Sequence, residues 1–260
     1  MQFRKKLKGS QHLEGAIPEV DGNSLQCRYL AWAELRTVLR VSNPRPRRRM
    51  TDVFVGVDVG GARKGFHAVA MHGREITAQI HTLIGEEVAD WCNEHGAMGI
   101  GIDAPCRWSQ TGHARAAERE LARLGIFAFA TPSRALAESK TFHSWMLNGA
   151  RLYQLVEPSF SLFDGREPRT RFCVETFPQA VACALAGRVL PAKKKSTNRP
   201  AVLRDEGVDT TSLTNVDFVD AALCALAAQY VARGTYKAFG DEQDGFIVVP
   251  SLSANFRLDA

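Results

Sequence analysis

Apolar and polar or small positions alternate along Val53–Val59. A strand there would put Val53, Val55, Val57 and Val59 on one face and Phe54, Gly56 and Asp58 on the other. The same period of two recurs over residues 66–71 and 75–82, joined by His72-Gly73-Arg74 as a hairpin loop. Val88, Trp91 and Cys92 fall at helical spacing within residues 86–94, and Met98 to Asp103 reads as a strand returning from that helix. A strand reached through a helix runs parallel to a sheet neighbour, so the order is βββαβ. Further along, the pattern predicts helices over 114–124, 142–155 and 180–186, and a strand over 172–176. Lys193, Lys194 and Lys195 read as solvated linker. The last long helix spans 216–232, with Asn215 as its N-cap and Gly234 beyond its end, and a short strand follows at 246–249. The expected fold is α/β, a central mixed five-stranded sheet flanked by helices.

Charge divides the 260-residue chain unevenly. Residues 1–50 hold 11 Lys+Arg against 4 Asp+Glu, whereas the remainder holds 22 against 24. The basic pI of about 9.0 therefore belongs to an amino-terminal extension, closed by Pro44-Arg45-Pro46-Arg47-Arg48-Arg49, and gives no case for a broadly cationic folded surface. Leu30 to Val41 is a candidate short amphipathic helix within it, and Met50, directly before the first strand, is a candidate natural start. The domain is expected over 51–260. No apolar stretch approaches the roughly 20 residues of a membrane span, and no signal-like apolar region follows the basic amino terminus, so no membrane partner and a cytoplasmic location are expected. The six cysteines lack CxxC spacing, which argues against a zinc site or a disulfide framework.

The candidate chemistry is carried by carboxylates. Val55-Gly56-Val57-Asp58 and Ile100-Gly101-Ile102-Asp103 end alike, each with Asp at the carboxyl tip of a strand and Gly two residues before it. The missing side chain leaves a slot over the sheet for an ion, a phosphate or an approaching helix. Asp217 and Asp220, three apart, share one side of the last helix, with Cys224 and Ala227 continuing that side. Val219, Leu223, Leu226 and Tyr230 form the apolar stripe expected to pin the helix to the sheet. Were the helix to cross the strand tips, Asp58, Asp103 and Asp217 or Asp220 would converge, and such a group requires protons or bound cations. Mg²⁺ or Mn²⁺ in a pair suits an all-oxygen ligand set. The scattered histidines, His67 and His81 among them, show no metal-ligand spacing. Structural readings stand beside these: Asp58 or Asp103 bonding its own turn, Asp217 favoured by the helix dipole, and Glu175 either a further site carboxylate or an arginine's partner. Gly60, Gly61, Arg63, Lys64 and Arg107 are candidate substrate contacts. Arg115, Arg119 and Arg123, at four-residue spacing, read better as a solvated helix face.

Taken together, VGVDVGGARKG, IGIDAPCRW, ETFPQAVACALAG, NVDFVDAALCALAA and GFIVVP resemble an uncharacterised domain-of-unknown-function family of predicted nucleases in the RNase H-like superfamily. The resemblance covers residues 52–250. It implies an RNase H-like fold and a metal-dependent nuclease acting on DNA, RNA or a hybrid. It matches Asp58 to the first-strand acid, Asp103 to the fourth-strand acid, and Asp217 with Asp220 to the pair on the last helix. Asp stands at the fourth-strand position where many of the superfamily hold Glu, and Glu175 belongs to the family's own motif. Two other functions fit parts of the pattern. Asp58-Val59-Gly60-Gly61 also resembles the phosphate loop of actin-like ATPases and sugar kinases, although the chain shows no second such loop, and the same fold can serve nucleic-acid binding without catalysis.

Overall fold

The computed structural model describes residues 52–251. The readings of the basic extension, of a helix over 30–41 and of a start at Met50 lie outside the described residues. Strands β1 (Val53–Val59), β2 (Phe66–His72) and β3 (Glu75–Thr82) form an antiparallel meander. Helix α1 (Gly85–Glu94) leads into β4 (Ala97–Asp103), which pairs parallel with β1 and sets Asp58 directly beside Asp103. Then come α2 (Ala116–Arg123), α3 (Arg134–Glu138), α4 (Ser144–Val156), β5 (Ser161–Leu162) and β6 (Phe172–Glu175). They are followed by α5 (Pro178–Ala186), α6 (Lys195–Asp205), α7 (Val216–Ala232), β7 (Tyr236–Asp241) and β8 (Gly245–Pro250). No helix among the described residues is long and apolar enough to cross a membrane.

The alternation in β1 sorts the core into two layers. Val55, Val57 and Val59, with Ile100 and Ile102 of β4, pack against Val88 and Cys92 of α1 and Leu152 and Val156 of α4. The other face receives α7. A Cβ placed on Gly56 would lie 1.8 Å from the Ala221 carbonyl oxygen and 2.3 Å from the Ala225 nitrogen, and one on Gly101 would lie 2.1 Å from the Cys224 oxygen. The two slots over the sheet are thus filled by the backbone of α7. Asn215 starts that helix by accepting from the Asp217 and Phe218 N–H groups at 3.0 Å each. Its contact side is the small one, Ala221, Cys224 and Ala225. Val219, Leu223 and Leu226 enter a core that joins Val69 and Met71 of β2 and Ile247 and Val249 of β8 to α5 and α6, while the Tyr230 hydroxyl bonds Glu206.

The mixed α/β architecture with a helix-flanked central sheet matches the expectation, but its strand count does not. The sheet has eight strands in the order β3-β2-β1-β4-β6-β8-β7, with β5 paired off this path to β6. Sequence patterning missed β7, whose Tyr-Lys-Ala-Phe-Gly-Asp buries only Phe239 fully and is held as an edge strand by pairing with β8. It also missed α6, read as part of a linker, because Lys-Ser-Thr-Asn-Arg-Pro has no apolar period and carries Pro200 inside the helix. Burial of Val202 and Leu203 against α5 and α7 decides that helix, a tertiary effect that local propensity does not record.

Gly56→Ala or Gly101→Ala should destabilise the protein by roughly 3 kcal/mol or more, because a methyl group there overlaps backbone that cannot yield without moving α7 off the sheet. Gly85→Ala is the control: its Cβ would sit 3.1 Å from a mobile Leu155 methyl, and the change should stay within about 1 kcal/mol. Urea unfolding of the three variants tests the contrast, and equal effects would refute the close-packing account.

Candidate functional site

Three carboxylates from three elements meet at one pocket. Asp58 and Asp103 project from the carboxyl ends of adjacent parallel strands, and Asp220 comes from the second turn of α7. The pocket encloses about 250 Å³, and its walls also include Glu175, Arg115, Arg199, Lys195, Phe129 and Trp145. Helix α4 secures the strand tips from the far side. Asn148 donates to the Gly60 carbonyl at 2.8 Å, and the Tyr153 hydroxyl donates to the Ala104 carbonyl at 3.1 Å. At Gly149 a Cβ would reach within 2.3 Å of the Ala104 methyl, so this helix too approaches through a glycine.

The acids are partly neutralised by the chain's own cations. Lys64 reaches back from the loop after β1 to contact Asp58 Oδ2 and Asp217 Oδ1, 2.8 Å each. Asp220 is paired with Arg199 of α6, which also donates to Gln179. No ion pair reaches Asp103 among the described residues. Burial pushes the Asp58 carboxyl up to about 6 despite the opposing pull of Lys64, with the charges of Asp220 and Asp217 adding to the rise. Burial also drives Asp103 well above the ordinary carboxyl range, reinforced by Asp58 and Asp220, and it raises Asp220 against the influence of Arg199.

Glu175 has a different setting. Arg115 clasps both its oxygens, at 2.5 and 2.9 Å, while the Cys106 N–H donates to it at 2.8 Å. Arg115 also donates to Glu118 at 2.9 Å, and Glu118 accepts from the Thr131 N–H at 3.0 Å. Of the two readings open for Glu175, the geometry gives it the arginine partner while keeping it in the pocket wall. Arg115 departs from the solvated-face expectation: it is 1 % exposed, at the cap of α2, whereas Arg119 and Arg123 are exposed. The pairing across sixty residues has no local sequence signal.

Among the expected substrate contacts, Lys64 turns into the acid cluster, while Gly60, Gly61, Arg63 and Arg107 stand outside the pocket lining, the two arginines exposed. Arg199 and Lys195, on the helix read as linker, line it instead. Asp217 stands outside the pocket lining and joins Asp58 through Lys64. Sequence reasoning also passed over His67, which sits opposite Asp58 in the β1–β2 register and opposite His81 in the β2–β3 register. A row His81, His67, Asp58, Asp103 therefore crosses four strands at one level. Hairpin register was the available signal, since the short Gly60–Gly65 connection between β1 and β2 sets residue 67 opposite residue 58. Burial holds the His67 imidazole below its ordinary value, hence neutral near pH 7.

Comparison with known proteins gives a family and nothing finer. Residues 56–244 match the family described as "Protein of unknown function (DUF429)". No curated protein and no solved structure matches the chain.

Two predictions follow from the charges. Asp58 binds its proton more tightly folded than unfolded, so its contribution to stability is complete below about pH 4 and is lost as pH rises through about 6. In chelator, Asp58→Asn should therefore gain on wild type by roughly 2–3 kcal/mol between pH 4.5 and 8. A constant difference between their denaturation curves would contradict the buried-carboxylate account. Arg115→Met should cost roughly 3–5 kcal/mol, since it strands Glu175 and Glu118 in the interior. Arg115→Met with Glu175→Gln should recover part of that loss, and a single-variant loss below about 1 kcal/mol would count against the buried network.

Proposed function

The chain belongs to the DUF429 family of unknown function, and from that premise we propose that it is a metal-dependent nuclease with an RNase H-like arrangement of its sheet. The observation that carries this reading is the convergence of Asp58 and Asp103, side by side on parallel strands, with Asp220 from a helix more than a hundred residues away. Nothing in the packing of the core calls for three carboxylates there. Buried acids gathered at strand ends are costly to a fold and are retained where chemistry needs them.

The donor set suits hard divalent cations. Asp58, Asp103 and Asp220 supply oxygen only, and Asp103, half-buried beside other acids with no ion-pair partner among the described residues, lacks the positive charge that a bound ion provides. Asp58, Asp103, Asp220 and Asp217 would hold Mg²⁺ or Mn²⁺. Bound there, such ions would stabilise the charge that develops on a phosphodiester during hydrolysis. The rest is done by the chain itself. Exposed Lys195 offers a cation to a phosphate at the pocket wall. Phe129, 66 % exposed, lies edge-on to Phe142 and Trp145 at 5.6 and 6.5 Å between ring centroids, an aromatic ledge on which a base can stack. Arg115 and Arg199 keep Glu175 and Asp220 in position.

The phosphate-loop reading gains less support. In Gly60–Gly65 the Gly60, Lys64 and Gly65 N–H groups bond to carbonyls of the same loop, at 2.7 to 2.9 Å, so they are not aimed at a ligand. A pocket of about 250 Å³ also falls short of the roughly 300 Å³ from which sites for larger ligands begin.

The test is cleavage of a panel of labelled single strands, duplexes, hybrids and junctions of DNA and RNA with Mg²⁺ or Mn²⁺. Wild type should cut at least one class, Asp58→Asn should be slower by roughly a hundredfold or more, and Phe129→Ala should weaken substrate binding by roughly 1–3 kcal/mol. Equal cutting by wild type and Asp58→Asn, or no cutting at all, would overturn the reading. Binding without cleavage would leave a nucleic-acid-binding protein of the same fold.

A further inference from the structure

On the hairpin side of Asp58, away from the pocket, a second group of ligand atoms comes together. A ring nitrogen of His67 and carboxylate oxygens of Asp58 and Asp217 all lie within 4.8 Å of one another. His67 is 6 % exposed, and its Nδ1 is buried without any hydrogen-bond partner. A buried imidazole nitrogen left unpaired forfeits on the order of 1–3 kcal/mol and is uncommon in a settled core. The ring is held firmly, stacked on His81 at 4.4 Å and edge-on to Phe218 at 4.8 Å. His81 in turn donates through Nε2 to the Lys64 carbonyl at 2.9 Å.

We propose that Asp58, His67 and Asp217 form a mixed nitrogen–oxygen site for a first-row transition-metal dication, and that Lys64 is the resident cation which such an ion must displace. One imidazole and two carboxylates match Mn²⁺ and its neighbours, whereas Mg²⁺ gains little from a nitrogen ligand. The dimensions agree with a seat set by an ammonium group. With metal–ligand bonds near 2.1 Å, adjacent donors stand roughly 3.0–3.4 Å apart, so donors that lie within 4.8 Å of one another need to close by at most on the order of 1–2 Å around the ion. Lys64 can leave: its side chain is 42 % exposed, and it approaches from the loop rather than from the core. The charge it removes from Asp58 and Asp217 is replaced by the incoming ion. This inference rests on Asp58 being a metal ligand, as in the nuclease reading, but not on the reaction.

The experiment is Mn²⁺ titration of the full chain, followed by pulsed electron paramagnetic resonance to detect coupling to nitrogen-14. Wild type should show histidine nitrogen coupling. His67→Gln should abolish it and weaken binding at this site by about tenfold or more, with circular dichroism confirming that the variant is folded. Lys64→Met leaves the three ligands intact and should tighten Mn²⁺ binding by about fivefold to tenfold, the worth of one ammonium competing for two carboxylates. Should His67→Gln fail to fold, nitrogen coupling in the wild type and tighter binding by Lys64→Met decide the matter. Absence of nitrogen coupling in wild type, or unchanged Mn²⁺ affinity in Lys64→Met, overturns the proposal. Cleavage with Mg²⁺ but no nitrogen-coupled Mn²⁺ would sink this site and leave the nuclease standing; nitrogen-coupled Mn²⁺ with no cleavage would do the reverse.

Discussion

The contact between the backbone of α7 and the two glycines of the sheet governs the rest of the molecule. Helices ordinarily lie on a sheet across a layer of side chains, but at Gly56 and Gly101 that layer is absent, and the helix carbonyls come as near as the strands allow. This close approach brings Asp220 down to the level of Asp58 and Asp103. It also explains the run Ala-Ala-Leu-Cys-Ala-Leu-Ala-Ala in α7, where small residues turn inward and the larger ones meet α5 and α6. A helix one side-chain layer higher would still complete a core. It would not complete the carboxylate group.

Crowding acids in this way has an electrostatic consequence, which the chain meets by recruiting cations from distant segments. Lys64 comes from the loop after β1, Arg199 from α6 and Arg115 from the cap of α2. Paired burial of this kind adds little to stability, because desolvation consumes most of the Coulombic gain. Its effect is positional. Arg115 holds Glu175 to the Cys106 N–H, so the chain just after β4 is tied to β6, and Arg199 fixes the rotamer of Asp220.

How much of this was legible beforehand depended on whether the cause was local. The strand tips at Asp58 and Asp103, the capped helix beginning at Asn215 and the slots at Gly56 and Gly101 all follow from short-range pattern, and each stands where the residues placed it. What filled the slots did not follow, since ion, phosphate and helix were all open until packing chose the helix. Helix α6 and strand β7 were lost because their stabilising contacts are tertiary. Arg115 was misread as surface because helical spacing says which residues share a face but not which face is buried. His67 was passed over for another reason: spacing rules for metal ligands count along the chain, whereas hairpin register brings residues 58 and 67 together across it.

That register sets the two sides of Asp58 apart. Toward β4 it faces Asp103 and Asp220, oxygen donors in the pocket wall; toward β2 it faces His67, with Asp217 and Lys64 closing over them. Parallel pairing supplies the first neighbour and antiparallel pairing the second, so a strand that joins the two halves of a mixed sheet is the one place where a single carboxylate can serve both. Each side alters the other through the charge on Asp58. A cation drawn to the hairpin side lowers the cost of ionising that carboxylate, which in turn makes Asp103 harder to ionise alone and strengthens the demand for positive charge in the pocket.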